Sequence, residues 1–277
     1  MSTVQQTLSG LRQLKLGGMA DAYQLQLDQP KLNTSSFDER LAMLVDREIS
    51  NRDTRRIQRL LKGTGFPESA VLEDLDDRAG RGLDKALLAT LAGCQWILRH
   101  QNLNILGPTG VGKTWLACAL GTQACRQGIS VLYYRCSQLF SDIAMALADG
   151  SVSTLKSRLV KPALLLIDDF GNGEINLAVG HVLLDIVDRR MRCGSLLITS
   201  QYPRAQWHGL FPDPTLADAV LDRIVHQSYQ LQLKGESMRK RGKKRQQGHA
   251  HRYEQFVEAF LRYLARNLPG FRKYPKD

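Results

Sequence analysis

Apolar residues in the middle of the chain follow two alternating patterns. Short runs rich in strand-forming residues occupy 103–106, 130–134, 163–168, 196–200 and 229–233. Segments with apolar residues at helical spacing separate them, at 115–126, 136–147, 175–191 and 216–225. Because strands that alternate with helices usually build a parallel sheet, the pattern predicts an α/β fold with a parallel sheet flanked by helices.

The two ends of the chain lack this alternation. Near the N-terminus, apolar residues recur at helical spacing at Leu8, Leu11 and Leu14, and again at Leu41, Leu44 and Val45. Near the C-terminus, residues 253–268 have the spacing of a short amphipathic helix. We therefore predict a small N-terminal helical domain at 1–68, an α/β domain at 69–245 and a basic C-terminal helical tail at 246–277.

The charge of the chain is concentrated at its C-terminal end. The 277 residues carry a formal net charge of +11, and 43% of them are hydrophobic, which is enough for a sizeable core. From 239 to 277 there are twelve Lys and Arg against three acidic residues, a net charge of +9, which leaves +2 for the rest. This asymmetry indicates a polyanionic partner, and nucleic acid is the commonest one.

Hydropathy and cysteine usage favour a soluble cytoplasmic protein without membrane association. No stretch approaches the roughly 18 unbroken apolar residues of a membrane span, and the first ten residues lack the features of a signal peptide. The five cysteines are scattered without a C-x-x-C pair, and an odd number argues against a disulfide framework. We expect them to be small buried side chains.

Residues 107–114 form the pattern G-x-x-x-x-G-K-[ST] of a nucleotide-binding loop, between a predicted strand and a predicted helix. The loop consists of Gly107, Pro108, Thr109, Gly110, Val111, Gly112, Lys113 and Thr114. Its glycines let backbone N–H groups face a phosphate, Lys113 supplies a charge for the β- and γ-phosphates, and Thr114 can ligate Mg²⁺. The alternative is a glycine-rich turn with an incidental lysine, and the strand-loop-helix context favours the phosphate loop.

Two acidic residues end the predicted strand at 163–168. Asp168 would hold the same Mg²⁺ as Thr114, and Asp169 stands where a carboxylate could polarise the attacking water. Asp169 could instead be a capping or turn residue before Phe170. Together with Lys113, these residues are the candidates for charge neutralisation and catalysis of phosphoryl transfer.

Three polar residues, Thr199, Ser200 and Gln201, follow the neighbouring apolar run. A polar side chain there can contact the γ-phosphate or its water, although strand-end capping is also a common role of Ser and Thr. The Asn-Lys-x-Asp tetrapeptide typical of guanine-specific enzymes is absent from the sequence. We therefore expect ATP, rather than GTP, as the nucleotide.

Two basic segments are candidates for contact with DNA phosphates. The first places Arg52, Arg55, Arg56, Arg59 and Lys62 on one face of a helix. The second is a run of six basic residues, Arg239, Lys240, Arg241, Lys243, Lys244 and Arg245. Such contacts give sequence-independent, salt-sensitive affinity. The alternative for the helical stripe is an ordinary solvated surface.

The chain resembles the IstB-like helper ATPases of insertion sequences, relatives of the DnaC and DnaI helicase loaders in the AAA+ superfamily. The resemblance covers about residues 5–245. Its motifs are Leu11-Arg12-Gln13-Leu14-Lys15-Leu16-Gly17-Gly18-Met19-Ala20, the phosphate loop, Ile167-Asp168-Asp169-Phe170-Gly171, the segments at 197–203 and 217–226, and Lys234-Gly235-Glu236-Ser237-Met238-Arg239-Lys240.

This resemblance implies an AAA+ P-loop sheet and a homo-oligomer joined through the ATP site. Arg223 would be the arginine finger that enters a neighbouring subunit's site, and Gln201 the first sensor, with Ser200 as the alternate. Many AAA+ proteins have Glu where this chain has Asp169, one methylene shorter, which places the rate of hydrolysis in question.

The function that the resemblance implies is that of an Mg²⁺-dependent ATPase and transposition helper. It would assemble on duplex DNA and recruit or stimulate the transposase of the same element. One alternative is a replicative helicase loader. Another is a nucleotide-sensing DNA-binding module with negligible turnover, an alternative to which Asp169 lends weight.

Overall fold

The computed structural model describes residues 2–29, 34–75, 82–235 and 237–238. They form five strands, β1 (Asn102–Leu106), β2 (Val131–Arg135), β3 (Leu164–Asp168), β4 (Ser195–Ser200) and β5 (Ser228–Gln232). They also form ten α-helices, α1 (Thr3–Gln13), α2 (Gly17–Asp28), α3 (Phe37–Lys62), α4 (Lys85–Ala92), α5 (Gln95–Leu98), α6 (Lys113–Arg126), α7 (Cys136–Asp149), α8 (Val152–Val160), α9 (Leu177–Arg190) and α10 (Pro214–Val225). Within these ranges, no helix has both the length and the hydropathy that a membrane span needs.

The five strands form one parallel sheet in the order β2-β3-β4-β1-β5. In this order β4 lies between β1 and β3, with Leu106 opposite Ser200 and Ile167 opposite Ile198. Every residue of these three strands is buried, because helices cover both faces of the sheet. The predicted α/β fold is confirmed, and the carboxyl ends of β1, β4 and β3 lie side by side.

A separate hydrophobic cluster fills each face of the sheet. On one face, Leu165 and Ile167 of β3 pack with residues of α7, α8, α9 and α10. On the other face, Leu164 and Leu166 pack with residues of α4, α5 and α6. The alternation along β3 follows from the two-residue period of a strand, and the two clusters fix the sheet between its helical layers.

The N-terminal helices pack together along α3. This 26-residue helix begins with a capping box in which Ser36 and Glu39 satisfy each other's backbone N–H groups. Its first part contacts α2, and its last turns reach the sheet domain. There Leu60 and Leu61 pack against the second hydrophobic cluster, and Nη2 of Arg56 donates a 3.2 Å hydrogen bond to the Gly128 carbonyl.

The structure differs from the sequence expectations in three places. The patterns described above assign no element to 83–98 or to 148–162, where the structure contains α4, α5 and α8. Cys193 is exposed, in a turn after α9, whereas the other four cysteines are buried as expected. The apolar residues Leu14 and Val45 are 69% and 42% exposed, so their spacing identifies helices without identifying a buried face. The predicted tail at 246–277 lies outside the described residues.

Candidate nucleotide-binding site

The loop at 107–112 connects β1 to α6 at the carboxyl edge of the sheet. Gly112 is the N-cap of α6 and has a φ of 95°, a conformation that L side chains rarely adopt. A Cβ on Gly107 would lie 2.5 Å from the carbonyl oxygen of Leu233. Because glycine suits both positions, the sequence folds into a curled loop at a helix N-terminus, where backbone N–H groups favour an anion.

Lys113, the first residue of α6, is only 6% exposed despite its charge. Its ammonium donates hydrogen bonds of 2.9 Å to the Gly107 carbonyl and 3.0 Å to the Pro108 carbonyl. The side chain therefore reaches back across the loop. This places its positive charge inside the curve of backbone that the sequence pattern assigns to phosphates.

The Asp168 carboxylate, 1% exposed, accepts hydrogen bonds from three hydroxyl groups. The Thr114 hydroxyl lies 3.0 Å from both carboxylate oxygens, the Thr199 hydroxyl 2.5 Å from Oδ1 and the Tyr133 hydroxyl 2.9 Å from Oδ2. Mg²⁺ prefers oxygen ligands and commonly binds through one or two carboxylates together with substrate phosphates. Thr114 and Asp168 supply a donor set that fits this ion beside the loop.

Tyr133 acts here as a neutral hydrogen-bond donor. Burial raises the pKa of its hydroxyl well above the ordinary value, and the charge of Asp168 and the hydrogen bond to it raise the pKa further. Tyr133 is held in place because its backbone N–H donates to the Thr64 carbonyl at 2.8 Å and its ring meets that of Phe66 edge to face. The linker after α3 thus contacts the site.

Asp169 occupies a turn directly after β3. It has a φ of 56°, its N–H donates a 2.9 Å hydrogen bond to Oγ1 of Thr199, and its carbonyl accepts one from the N–H of Asn172. The backbone of Asp169 therefore has the turn role that the sequence leaves open. Its side chain is partly exposed at the carboxyl edge of the sheet, next to Asp168.

Gln201 and Ser200 differ in what they contact. The Thr109 hydroxyl of the phosphate loop donates a 2.7 Å hydrogen bond to Oε1 of Gln201. The Ser200 hydroxyl is fully buried and donates a 2.6 Å hydrogen bond to the Phe170 carbonyl. The Ser200 carbonyl accepts a 3.2 Å hydrogen bond from the N–H of Gly107, but of the two sensor candidates only Gln201 contacts the loop through its side chain.

Arg223 lies at the opposite edge of the sheet. The side-chain amide of Asn102, the first residue of β1, donates a 3.0 Å hydrogen bond to the Arg223 carbonyl, whereas the loop follows the last residue of β1. The Arg223 guanidinium donates hydrogen bonds of 2.8 Å to Asp188 and to the Ala219 carbonyl. The structure does not bring Arg223 to the phosphate loop of its own chain.

All five residues of the helical basic stripe are exposed. Two of its arginines, Arg52 and Arg56, also bond to other parts of the protein. Arg52 forms a 2.7 Å ion pair with Glu48, a buried residue that also accepts the N–H of Gly18 at the start of α2. Arg56 bonds to the Gly128 carbonyl. These two stabilise the packing of α3. The second basic run, from Arg239 to Arg245, lies outside the described residues.

Two participants were not identified from the sequence. One is Tyr133, whose contact with Asp168 depends on β2 lying next to β3. The other is Glu68, in the linker after α3. Burial raises the pKa of the Glu68 carboxyl, and the negative charge of Asp168 adds to the rise, so the two carboxylates lie within electrostatic range. Tyr133 lies in a predicted strand, but neither residue belongs to a recognisable nucleotide-binding or metal-binding motif.

Together, the parallel sheet and the loop at its carboxyl edge are those of a P-loop ATP-binding protein. The chain belongs to the family described as IstB-like ATP binding protein, whose model matches residues 9–246. The resemblance noted from the sequence is therefore confirmed.

Individual relatives agree with this assignment. The chain is 43% identical over 234 residues to an insertion sequence ATP-binding protein of Sinorhizobium fredii, a match covering 84% of this chain and 94% of the relative. It is 48% identical over 200 residues to the ATP-binding protein of insertion sequence IS1162 of Pseudomonas fluorescens, covering 72% and 87%. A crystal structure of DnaI matches with a TM-score of 0.52 and 20% identity over 64% of this chain and 94% of that one, a likeness of fold.

Proposed function

We propose that this insertion-sequence ATP-binding protein is an Mg²⁺-dependent ATPase that assembles on duplex DNA and recruits or stimulates the transposase of the same element. The proposal places the protein in the cytoplasm, with its DNA substrate. Family membership supports the ATP-binding and insertion-sequence parts.

The residues around the loop supply most parts of a phosphoryl-transfer site. The loop N–H groups and Lys113 would hold the β- and γ-phosphates, and Thr114 and Asp168 would hold Mg²⁺, which neutralises charge on the transferred group. Asp169 would orient the attacking water, and Gln201, already bonded to Thr109 of the loop, would contact the γ-phosphate. Hydrolysis also needs a cation that stabilises the charge of the transition state.

The position of Arg223 is the observation that supports assembly. Its backbone is fixed at the start of β1, five residues and roughly 15 Å from the loop at the other end. The Arg223 side chain is therefore too far from the phosphate loop of its own subunit to contact the bound nucleotide there. A neighbouring subunit stacked against the carboxyl edge would present Arg223 to the loop and complete the site.

Two basic surfaces would bind DNA. Arg55, Arg59 and Lys62 are exposed on α3, within the proposed N-terminal domain at 1–68. The run from Arg239 to Arg245 ends the proposed ATPase domain at 69–245 and leads into the proposed tail at 246–277. Their phosphate contacts would give affinity without sequence preference.

Mixing two inactive variants tests the shared site. Lys113→Ala is expected to abolish ATP binding, and Arg223→Ala to bind ATP but to hydrolyse it about 10³ to 10⁵ times more slowly. A mixture of the two on duplex DNA should regain ATPase activity, because one kind of interface combines an intact loop with an intact Arg223. Full activity of Arg223→Ala alone would refute a site completed by the neighbour.

Three further experiments test the role of DNA, the identity of the partner and the form of the assembly. Steady-state hydrolysis should rise when duplex DNA is added, whereas negligible turnover in both conditions would identify a nucleotide-sensing module. Affinity capture with the neighbouring transposase and with a replicative helicase separates a transposition helper from a helicase loader. Electron microscopy with DNA and a nonhydrolysable ATP analogue would show the assembly.

A further inference from the structure

The chain beyond β5 runs directly along the phosphate loop. The N–H of Leu233 donates a 2.7 Å hydrogen bond to the Leu106 carbonyl, just before the loop. Five residues later, the N–H of Met238 donates a 2.8 Å hydrogen bond to the carbonyl of Gly110, in the middle of the loop. We call the described residues of this segment, 233–235 and 237–238, the clasp.

The clasp touches the loop closely at both ends. A Cβ on Gly107 would lie 2.5 Å from the carbonyl oxygen of Leu233. A Cβ on Gly110 would overlap the hydroxyl of Ser237, and Gly110 has a φ of 87°. Since real Cβ atoms do not approach other atoms so closely, only glycine at these two positions lets the clasp lie directly against the loop, and neither segment can move toward the other.

The clasp also leads directly into the basic run. Arg239 follows Met238, and six of the seven residues from 239 to 245 are Lys or Arg. One peptide unit, about 3.8 Å between Cα atoms, connects Met238 to Arg239. The residue that bonds to the loop and the first residue of the basic run are therefore neighbours in the sequence.

We propose that Ser237 and Met238 couple nucleotide binding at the phosphate loop to DNA binding by the basic run. Phosphates that bind the loop N–H groups fix the peptide planes of the loop, including the one whose carbonyl accepts the Met238 N–H. A fixed loop holds the clasp, and the clasp holds the start of the basic run. This inference rests on the proposed function, in which the loop binds ATP and the basic run binds DNA.

Coupling of this kind is reciprocal. If nucleotide raises the affinity for DNA by some factor, DNA must raise the affinity for nucleotide by the same factor. Such factors are typically about 5 to 150. If the clasp contacts carry this coupling, weakening them should reduce the factor by which nucleotide raises the affinity for DNA. Both binding sites should remain.

Two pairs of variants test the clasp. Met238→Pro removes the N–H that bonds to Gly110, whereas Met238→Ala removes the side chain and keeps the N–H. Ser237→Leu adds volume against Gly110, whereas Ser237→Ala adds none. Because the pairs act on different atoms, a variant that fails to fold leaves the other pair as the test, with circular dichroism and thermal unfolding as the check.

The first measurement omits DNA. Trypsin cleavage between 239 and 245, followed by mass spectrometry, should slow about fivefold or more when Mg²⁺ and a nonhydrolysable ATP analogue are added to wild type, Met238→Ala or Ser237→Ala. In Met238→Pro and Ser237→Leu, the analogue should still bind but should leave the cleavage rate unchanged. Wild-type protection in both of these variants would overturn the proposal.

The second measurement is the affinity for duplex DNA with and without the analogue. In Met238→Pro and Ser237→Leu, this affinity should no longer depend on the nucleotide. If DNA binding keeps its nucleotide dependence in both, the coupling through the clasp is refuted while the proposed function stands. A different result is that the analogue slows trypsin cleavage of wild type, but not of Met238→Pro and Ser237→Leu, while wild type binds no DNA. In that case the proposed function fails, and only the coupling between the loop and the basic run is supported.

Discussion

The hydroxyl of Thr199 donates a 2.5 Å hydrogen bond to Oδ1 of Asp168, on the neighbouring strand. The same hydroxyl oxygen accepts the N–H of Asp169 at 2.9 Å. One side chain of β4 therefore fixes both the orientation of the proposed metal ligand and the turn that presents the proposed catalytic acid. This arrangement follows from the position of β4 between β1 and β3.

We expect Thr199→Val to bind ATP nearly as well as wild type but to hydrolyse it about 10 to 100 times more slowly, the usual cost of losing a residue that orients a metal ligand. Valine keeps the shape of threonine and removes the hydroxyl. Thr199→Ser keeps the hydroxyl and should retain most of the activity. The measurement is the ATPase rate as a function of Mg²⁺ concentration; a Val variant with the wild-type dependence would exclude this role.

Asp169→Asn should bind ATP and lose most hydrolysis, because the amide cannot accept a proton from water. The backbone of Asp169 has a φ of 56°, which Asn tolerates as well as Asp does, so the variant should fold normally. Single-turnover hydrolysis and nucleotide affinity, measured together, check this expectation. If the Asn variant hydrolysed ATP at the wild-type rate, Asp169 would be a turn residue only.

The left-handed conformation of Asp169 also bears on Glu, which many AAA+ proteins have at this position. Glu tolerates a positive φ less well than Asp does, because its side chain cannot bond to the local backbone in the same way. We therefore expect Asp169→Glu to fold with reduced stability. Thermal unfolding of the three proteins, Asp, Asn and Glu, provides the comparison.

The basic stripe should separate into binding and packing residues. Replacing Arg55, Arg59 and Lys62 together by Ala should lower the slope of log affinity against log salt by about 2 to 3, since each phosphate contact contributes about 0.9. Replacing exposed Arg99 and Arg192, outside the stripe, is the control and should leave the slope unchanged. DNA titrations at several salt concentrations measure it, and an unchanged slope in the triple variant would make the stripe an ordinary solvated surface.

Glu48 should contribute to stability in a pH-dependent way. Burial alone would raise the pKa of its carboxyl, but hydrogen bonds from the Arg52 side chain and from the N–H groups of Met19 and Gly18 outweigh burial and lower it. The carboxylate is thus more stable in the folded protein than in the unfolded chain, where its pKa is near 4.5. Its contribution is present above pH 4.5 and is lost as the pH falls through the lower, folded value.

Glu48→Gln is therefore expected to lower the free energy of unfolding by about 1.5 to 3 kcal/mol at pH 7, the usual value of hydrogen bonds to a charged group. The difference from wild type should shrink as the pH falls below 4.5. Urea unfolding at several pH values tests this, with Asp53→Asn, an exposed acid on the same helix, as the control. A pH-independent difference would show that the charge of Glu48 is not the cause.

Local sequence patterns were enough to predict the alternating strands and helices, the phosphate loop and the acids at the end of β3. They succeed because a strand, a glycine-rich turn and a helix are each determined by neighbouring residues. Local patterns do not predict the contact of Tyr133 with Asp168, because this contact requires β2 to pair with β3. Strand order depends on contacts between residues distant in sequence, which no local spacing records.

The same reasoning explains the two positions at which the sequence left alternatives open. Ser200 and Gln201 are adjacent, and only the path of the chain after β3 determines that Ser200 bonds to Phe170 while Gln201 meets Thr109. The contact of Ser237 with Gly110 likewise depends on the route of the chain beyond β5. Residue type identified these side chains as polar, and the tertiary structure determined their partners.

The strand β1 begins at Asn102, which binds the end of α10, and ends at the phosphate loop. Within the proposed assembly, each β1 would connect one catalytic centre to the next. Its last residue precedes the phosphate loop of its own subunit, and its first residue binds Arg223, which would enter the site of the neighbour. Successive centres would then be connected in series through a buried strand that pairs with a neighbour on each side. In such an array, the state of one catalytic centre would reach the next through protein alone, without passing through the bound DNA.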